Sequence, residues 1–521
     1  MKEIEWIKSA MALCISNTTQ ESDKRVKLEE LGEQYDSFSS TEKDTITTII
    51  KTQFAAKDSI YVYSCFLHYM GGKEPFAEAI MDAILDGDYD AYTGSMLELQ
   101  TRRYEEAFKW QYQKSRILHK RNVEKFDQNL QINYPYRKLA DRNKKRVVIV
   151  TEQIVGTLHS PTKVVLNFAY ILKKMGYEIL LFSCPSDCIL PEDTWFRSII
   201  MRSLDKFISL PMKLEYRGEK FDGYQINMTQ MGMKEYHMML TMIYDWNPYF
   251  VFDLGTANPV VDLVTKFTTQ VVFEMSILCP TSEGDIFVRT GFVGTELEDE
   301  YVRVLGDRQK QIFTDEKLPI LMEEIEHKGC RAEMGLPENR FLVAIVGNRL
   351  DLEIHSEFIG IMNTMLYQLP DMDFVMIGKC ENLRQQFGEE EFAERVHFLG
   401  FRRDLMSVYS VMDLYLNPKR KTGGGFSGAM ALMADLPIVT LPDCDVSCMT
   451  GQEFVVADYE QMVETVVRYA TDQEYYHKKV LEAQKCKVKN SDQKLEQYTK
   501  KILDQVFELM EERETKDDRI Q

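Results

Sequence analysis

The chain has 521 residues, 44% hydrophobic and 28% charged, with a formal net charge of −19. Two or three globular domains are expected at this length. A general nucleic-acid binder is excluded by the acidic balance, because the phosphate backbone demands a basic face. No apolar run reaches the roughly 18 residues of a membrane span. The N-terminus, MKEIEWIKSAMALCIS, is interrupted by acids and reads as a helix, so no signal peptide is expected. Ten scattered cysteines, with Cys184/Cys188 and Cys444/Cys448 spaced one residue wider than a CxxC pair, read as reduced thiols of a cytoplasmic protein.

Residues 1–140 read as an all-α domain. Apolar residues recur at helical spacing in EWIKSAMALCI, DTITTIIKTQFAAKDSIYVYSCFLHYM, PFAEAIMDAIL and SMLELQTRRYEEAFKWQYQKSRIL. Ser40-Thr41-Glu42-Lys43 and Asp86-Gly87-Asp88 carry helix-start signals. Tyr61, Tyr63, Phe66 and Tyr69 are helically spaced and read as core. Basic clusters at Arg102–Arg103, Arg116–Arg121 and Arg137–Arg146 could meet an anionic membrane surface or an acidic partner, or form solvated helix faces.

The texture changes at Arg146. RVVIVTEQ is a short apolar run with the look of a buried parallel strand. The helix SPTKVVLNFAYILKKMG and the strand EILLFSC complete a βαβ unit. DGYQINMTQ, PYFVFDLG and TQVVFEMS add strands, with the helix KEYHMMLTMIYDW between the first two, so residues 146–315 read as a Rossmann-like domain. A second such domain spans 335–515. It comprises RFLVAIVGNRL, SEFIGIMNTMLYQLP, DMDFVMIGKC, the polar helix LRQQFGEEEFAER, VHFLGF, RRDLMSVYSVM and DLYLNP, and ends in a long charged helix from about Tyr475 that could pack back on the N-terminal half.

Asn417 to Pro442, NPKRKTGGGFSGAMALMADLPIVTLP, reads as strand end, basic turn, triple glycine, helix and strand. Gly423, Gly424 and Gly425 permit positive φ and close approach of a ligand. A helix from about Ser427 to Ala434 would aim free N–H groups and a positive dipole end at the loop. Lys419, Arg420 and Lys421 add three positive charges beside it. Such a loop suits a diphosphate, although glycine turns before helices also occur with no ligand.

GLPENRFLVAIVGNRL, DFVMIGK, VHFLGFRRDLMSVYSVMDLYLNP and GGGFSGAMALMADLPIVTL, in that order, resemble the nucleotide-sugar-binding domain of GT-B-fold glycosyltransferases. HSPTKVVLNFAYILKKMGYEILLFS and NPYFVFDLG resemble the N-terminal domain of that fold more loosely. With its helical N-domain, the organisation resembles the bacterial cytoplasmic adhesin and protein glycosyltransferases, and more distantly the O-GlcNAc transferases. The resemblance implies an α/β, GT-B architecture of two doubly wound domains, a nucleotide-sugar donor read as a UDP-sugar, and an acceptor read as a protein.

The resemblance also assigns roles. Arg349, after Gly347-Asn348, would clamp the donor diphosphate. Asn348, Phe401, Arg402, Lys419, Lys421, Thr422, Gly423, Gly424, Gly425 and Ser427 would form the rest of the nucleotide-sugar site, with backbone groups near Phe401 and Arg402 meeting the base. Ser427 could instead be a plain N-cap. Glu353 and His355 could line the site or begin a helix. His159, in the turn after the first strand, is the candidate general base, with Glu152, Asp253 and Glu274 as rivals. Two glutamates that many retaining enzymes of this fold place around the donor helix are replaced by Thr422 and Met430, and their lysine position is Leu352 or Ile354. No DxD motif stands at a suitable strand end in the C-terminal half, which leads to an expectation of metal-independent transfer, with no cofactor beyond the co-substrate. The alternatives are a non-catalytic GT-B partner that binds acceptor for another transferase, as one half of an oligomer, and a transferase acting on lipid-linked or polysaccharide acceptors.

Overall fold

A computed structural model describes residues 2–15, 21–53, 81–82, 84–103, 111–152, 154, 160–184, 211–225, 233–255, 257–273, 281–290, 305, 309–314, 318–319, 321, 328–348, 350–387, 392–420, 424–442, 444–488 and 491–516. His159, Glu274, Arg349, Lys421, Thr422 and Gly423, and the Tyr61 to Tyr69 aromatics, lie outside the described residues. Two units divide the chain: Met1–Thr314 with Ile502–Gln521, and Asp315–Lys501.

Unit 1 begins with α1 (Lys2–Ile15), α2 (Glu21–Ser37) and α3 (Ser40–Gln53). The Trp6 indole N–H donates to Leu31 O at 2.9 Å and its ring packs on Tyr35, closing this group. α3 is started by Ser39, one residue before the expected signal. The Glu42 carboxylate accepts from Ser39 N at 2.8 Å while Ser39 Oγ accepts from Glu42 N, a reciprocal capping box. α4 (Ala91–Arg103) and α5 (Tyr112–Leu130) follow. The cap of α4 is Asp90, whose Oδ1 accepts from Tyr92 N and Thr93 N, and not the Asp86–Asp88 turn.

The first sheet comes from β1 (Asn143–Thr151), α6 (Ser160–Lys174), β2 (Glu178–Ser183), β3 (Pro211–Tyr216), β4 (Glu219–Gln225), α7 (Met233–Trp246), β5 (Pro248–Leu254), β6 (Gln270–Phe273), β7 (Ile286–Thr290) and β8 (Lys310–Thr314). Its order is β3-β4-β2-β1-β5-β6-β7-β8, parallel except for the β3–β4 hairpin. β5 is buried at every position, as a strand covered on both faces must be. Ala91, Phe126, Leu130 and Ile132 share one core with Val148, Val150, Val251 and Tyr236, so packing does not separate α4 and α5 from the sheet.

Four arginines of the basic clusters are tied within the unit. Arg116 donates to Ser282 O, Arg121 to Gly87 O and Leu85 O, Arg142 to Tyr249 O and Thr269 Oγ1, and Arg146 pairs with Glu178. These side chains brace the unit, whereas Lys120, Lys138, Lys144 and Lys145 are exposed. No helix among the described residues is long and apolar enough to cross a membrane.

Unit 2 comprises β9 (Phe341–Val346), α8 (Leu350–Glu353), α9 (Ser356–Gln368), β10 (Met372–Ile377), α10 (Glu381–Phe387), β11 (Val396–Gly400), α11 (Leu405–Tyr409), β12 (Leu414–Leu416), α12 (Gly425–Met433), β13 (Ile438–Val439), α13 (Asp445–Thr450), α14 (Tyr459–Thr471) and α15 (Gln473–Val488). Its parallel sheet has the order β11-β10-β9-β12-β13. The single C-terminal helix expected from Tyr475 is two helices, α15 and α16 (Asp492–Lys516). Ser491 restarts the second, its Oγ accepting from Lys494 N at 3.3 Å. The end of α16 packs within unit 1. Phe507 meets the Tyr249 ring, Glu514 accepts from Leu139 N at 2.6 Å, and the buried Arg513 and Asp285 pair at 2.6 Å.

Candidate functional site

In each sheet the chain leaves the first strand in one direction and later returns to its other side. This creates a crevice at the carboxyl ends of the strands, where doubly wound sheets take their ligands. In unit 2 the reversal lies between β9 and β12. The segments leaving these two strands are Gly347-Asn348 and Asn417 to Gly424, which carry most of the candidate binding residues.

Glycines shape this edge. Gly378, just past β10, has φ +135°, and a Cβ there would collide with Gly347 O. Gly400 closes β11 at φ +64° and Phe401 follows it, 52% exposed. Gly424 has φ +79° and is the N-cap of α12, which starts at Gly425. Ser427 is therefore neither the cap nor the first helical residue. It lies half-buried in the first turn, its carbonyl accepting from Tyr409 OH at 3.1 Å. A glycine N-cap brings no side chain of its own to the first-turn N–H groups.

The basic turn divides. Lys419 is exposed, whereas Arg420 is buried and already partnered. Its Nη1 donates to Glu353 Oε2 at 2.7 Å, Nε to Asn417 Oδ1 at 2.8 Å, and Nη2 to Val346 O at 2.8 Å and Tyr415 OH at 3.0 Å. The expectation of three free positive charges fails at this residue, because one of them is neutralised inside the fold. Glu353 ends α8 and serves Arg420, and His355 is the exposed N-cap position of α9. Asn348 is exposed at the β9 turn. Arg402 is engaged by Asp404 at 2.9 and 2.6 Å, which holds the Asp404 carboxyl below its usual range. Met430 is buried on α12 and Ile354 is buried after α8.

In unit 1 the reversal lies between β1 and β5. Glu152 follows β1 half-buried, and Asp253 sits near the end of β5, 2% exposed. Burial, and then the Asp262 charge, push the Asp253 carboxyl well above the usual range, and Gln270 Nε2 donates to its Oδ2 at 3.0 Å. Asp253 is thus buried and engaged by Gln270. Cys184, Cys330, Cys380 and Cys444 are free thiols, and burial pushes Cys184 up to about 12. No cluster of three or more His, Cys, Asp or Glu suited to a metal occurs among the described residues.

Residues 342–472 match the family model Glycosyl transferases group 1. The chain carries a Glycosyl transferases group 1 domain and has the GT-B fold. An O-GlcNAc transferase variant from Thermobaculum terrenum has the same architecture, at 12% identity and a TM-score of 0.54, covering 98% of this chain and 99% of that one. The Anabaena protein HepE in complex with UDP aligns at 12% identity and a TM-score of 0.48, over 69% of this chain and 100% of that one. The GtfA/B complex aligns at 11% identity and a TM-score of 0.46, over 70% and 100% respectively. No curated protein matches the chain in sequence.

At the level of the fold, the group 1 match covers β9 through α14, and so includes both segments that flank the unit 2 crevice. What the sequence did not show is the cluster at this crevice, buried Arg420 with Glu353, Asn417 and Tyr415. The one hint was an arginine between two lysines, since Arg is the cation that tolerates burial in a multidentate setting.

Proposed function

We propose that this GT-B glycosyltransferase moves a sugar from a UDP-sugar to a protein acceptor without a bound metal. The observation that carries the reading is the β9/β12 crevice, where a glycine-capped helix, α12, follows a loop held by a buried arginine inside a group 1 domain. In the reaction the bond from the anomeric carbon to the diphosphate oxygen breaks, and a bond to the acceptor oxygen or nitrogen forms. The acceptor proton passes to a base, for which His159 is the candidate. The diphosphate leaves with charge that Arg349, Lys421, the Thr422 hydroxyl and the α12 N–H groups offset. Asn348 and Lys419 line its approach, Ser427 and Gly423 to Gly425 face it with main-chain groups, and the backbone at Phe401 and Arg402 meets the base.

The reading predicts that UDP raises the apparent melting temperature, because a ligand of the native state stabilises by mass action. GDP, CDP and dTDP are the comparison set. No shift with any nucleotide would sink the donor-site assignment. A shift with UDP, but no transfer from any UDP-sugar to protein, would redirect the function to a donor-binding partner.

A further inference from the structure

The guanidinium of Arg420 touches every segment that builds the β9/β12 crevice. It reaches the last residue of β9 through Val346 O, the end of α8 through Glu353, β12 through Tyr415, and the donor loop through Asn417. Backbone lies against it as well. A Cβ on Gly347 would come to 2.7 Å from Nη1, and one on Gly424 to 2.5 Å from Nη2. Asn417 extends the set, donating to Thr440 Oγ1 at 3.0 Å. With the guanidinium buried and already paired to a carboxylate, this charge has no room for a phosphate and no need of one.

We infer that Arg420 is the positioning residue of the donor loop, tying the ends of β9 and α8 to Asn417 through one planar fork while it packs against Gly347 and Gly424, the N-cap of α12. The role rests on the donor-site reading for its consequence, and on the hydrogen bonds alone for its geometry. A planar group with donors in three directions can hold four acceptors at once, and a lysine ammonium on a flexible stem cannot match that arrangement. Glu353 supplies the counter-charge that lets the guanidinium remain buried.

Positioning and direct phosphate contact make opposite predictions. Arg420→Lys keeps the positive charge and loses the fork, so it should weaken UDP binding at least tenfold while the protein stays folded. Glu353→Gln frees the arginine charge. A phosphate-contacting Arg420 would then hold UDP as tightly or more tightly, whereas a positioning Arg420 loosens and UDP binding weakens. Hydrogen exchange supplies a readout without nucleotide: amides from Gly424 to Ala429 should exchange at least tenfold faster in Arg420→Lys, with the β9 and β10 amides unchanged. Native UDP affinity in a folded Arg420→Lys, or unchanged exchange in that segment, overturns the role. Loss of the whole fold in both variants overturns it too, since Arg420 would then be required for folding and not for alignment. A parent protein that binds no UDP counts against the donor-site reading, and the exchange experiment still decides the role of Arg420.

Discussion

His119 Nε2 lies 2.7 Å from Asp262 Oδ2 across 143 positions of sequence, and both side chains are fully buried. The other ring nitrogen meets Glu98 Oε1 at 2.7 Å. Asp262 also accepts from Gln270 Nε2 at 2.9 Å and Ser282 Oγ at 2.7 Å, and Asn122 Nδ2 donates to Glu98. One imidazolium thus joins α4 and α5 to the sheet. Burial would lower the His119 pKa, but the charge of Glu98 and the hydrogen bonds to Asp262 and Glu98 overcome it and push it up to about 9. Burial would likewise raise Asp262, yet the His119 hydrogen bond holds it low.

A folded pKa above the unfolded value of about 6.5 means that the charged ring adds stability fully below that value and loses it as pH rises through about 9. Urea unfolding should therefore show stability falling between about pH 7 and 10. In His119→Ala that part of the fall should vanish. At pH 6 the variant should be less stable by about 3–5 kcal/mol, the range for breaking a buried ion pair. An identical pH profile in parent and variant would show that the ring carries no extra proton.

Asp253→Asn is close to isosteric. Asp253→Asn keeps an acceptor for Gln270 and removes a carboxyl that would have to be desolvated if it ionised. Because its folded pKa is raised, the native acid contributes relatively more stability at low pH, and that contribution fades as pH rises. The substitution is expected to leave or raise the melting temperature at pH 8, and to retain transfer within a few-fold. Loss of transfer by orders of magnitude in a folded Asp253→Asn would restore it as a base.

Much of this architecture is legible in sequence, for a specific reason. PYFVFDLG and RFLVAIVGN are unbroken apolar runs because parallel strands covered on both faces have no polar side to alternate with. β3 (PMKLEY) escapes that signal, since its hairpin edge is polar and alternating. The pair His119–Asp262 escapes it as well. A contact between residues so far apart leaves no periodicity, and a histidine in a polar helix reads as surface. Arg420 is hidden for a related reason: a run of charges says how many cations a turn has, not which one folds inward.

Glycine geometry supplies a paired test inside unit 2. Gly335 and Gly378 both have positive φ, at +69° and +135°, but a Cβ on Gly335 meets nothing within 4 Å while one on Gly378 collides with the Gly347 carbonyl. Gly335→Ala should cost only the conformational penalty of about 1–2 kcal/mol. Gly378→Ala adds a backbone displacement at the β9 turn, so it should lower the unit 2 transition further and weaken UDP binding. Equal melting temperatures for the two variants would show that the β9–β10 edge yields without cost.

Arg349 and Lys419 separate leaving-group stabilisation from general attraction. Asn348 and Leu350 flank position 349 at the carboxyl end of β9, where the crevice opens. If its guanidinium meets the departing diphosphate, Arg349→Ala removes a charged donor made for the transition state and should lower kcat/KM by about 10²–10³-fold. Lys419 is exposed, so water and salt screen its charge, and Lys419→Ala should cost only a few-fold, and less as salt rises. Melting temperatures within a few degrees of the parent would confirm that neither loss is one of folding. Full transfer by Arg349→Ala would remove it from the mechanism and leave the α12 N–H groups and the loop hydroxyls to carry the leaving group.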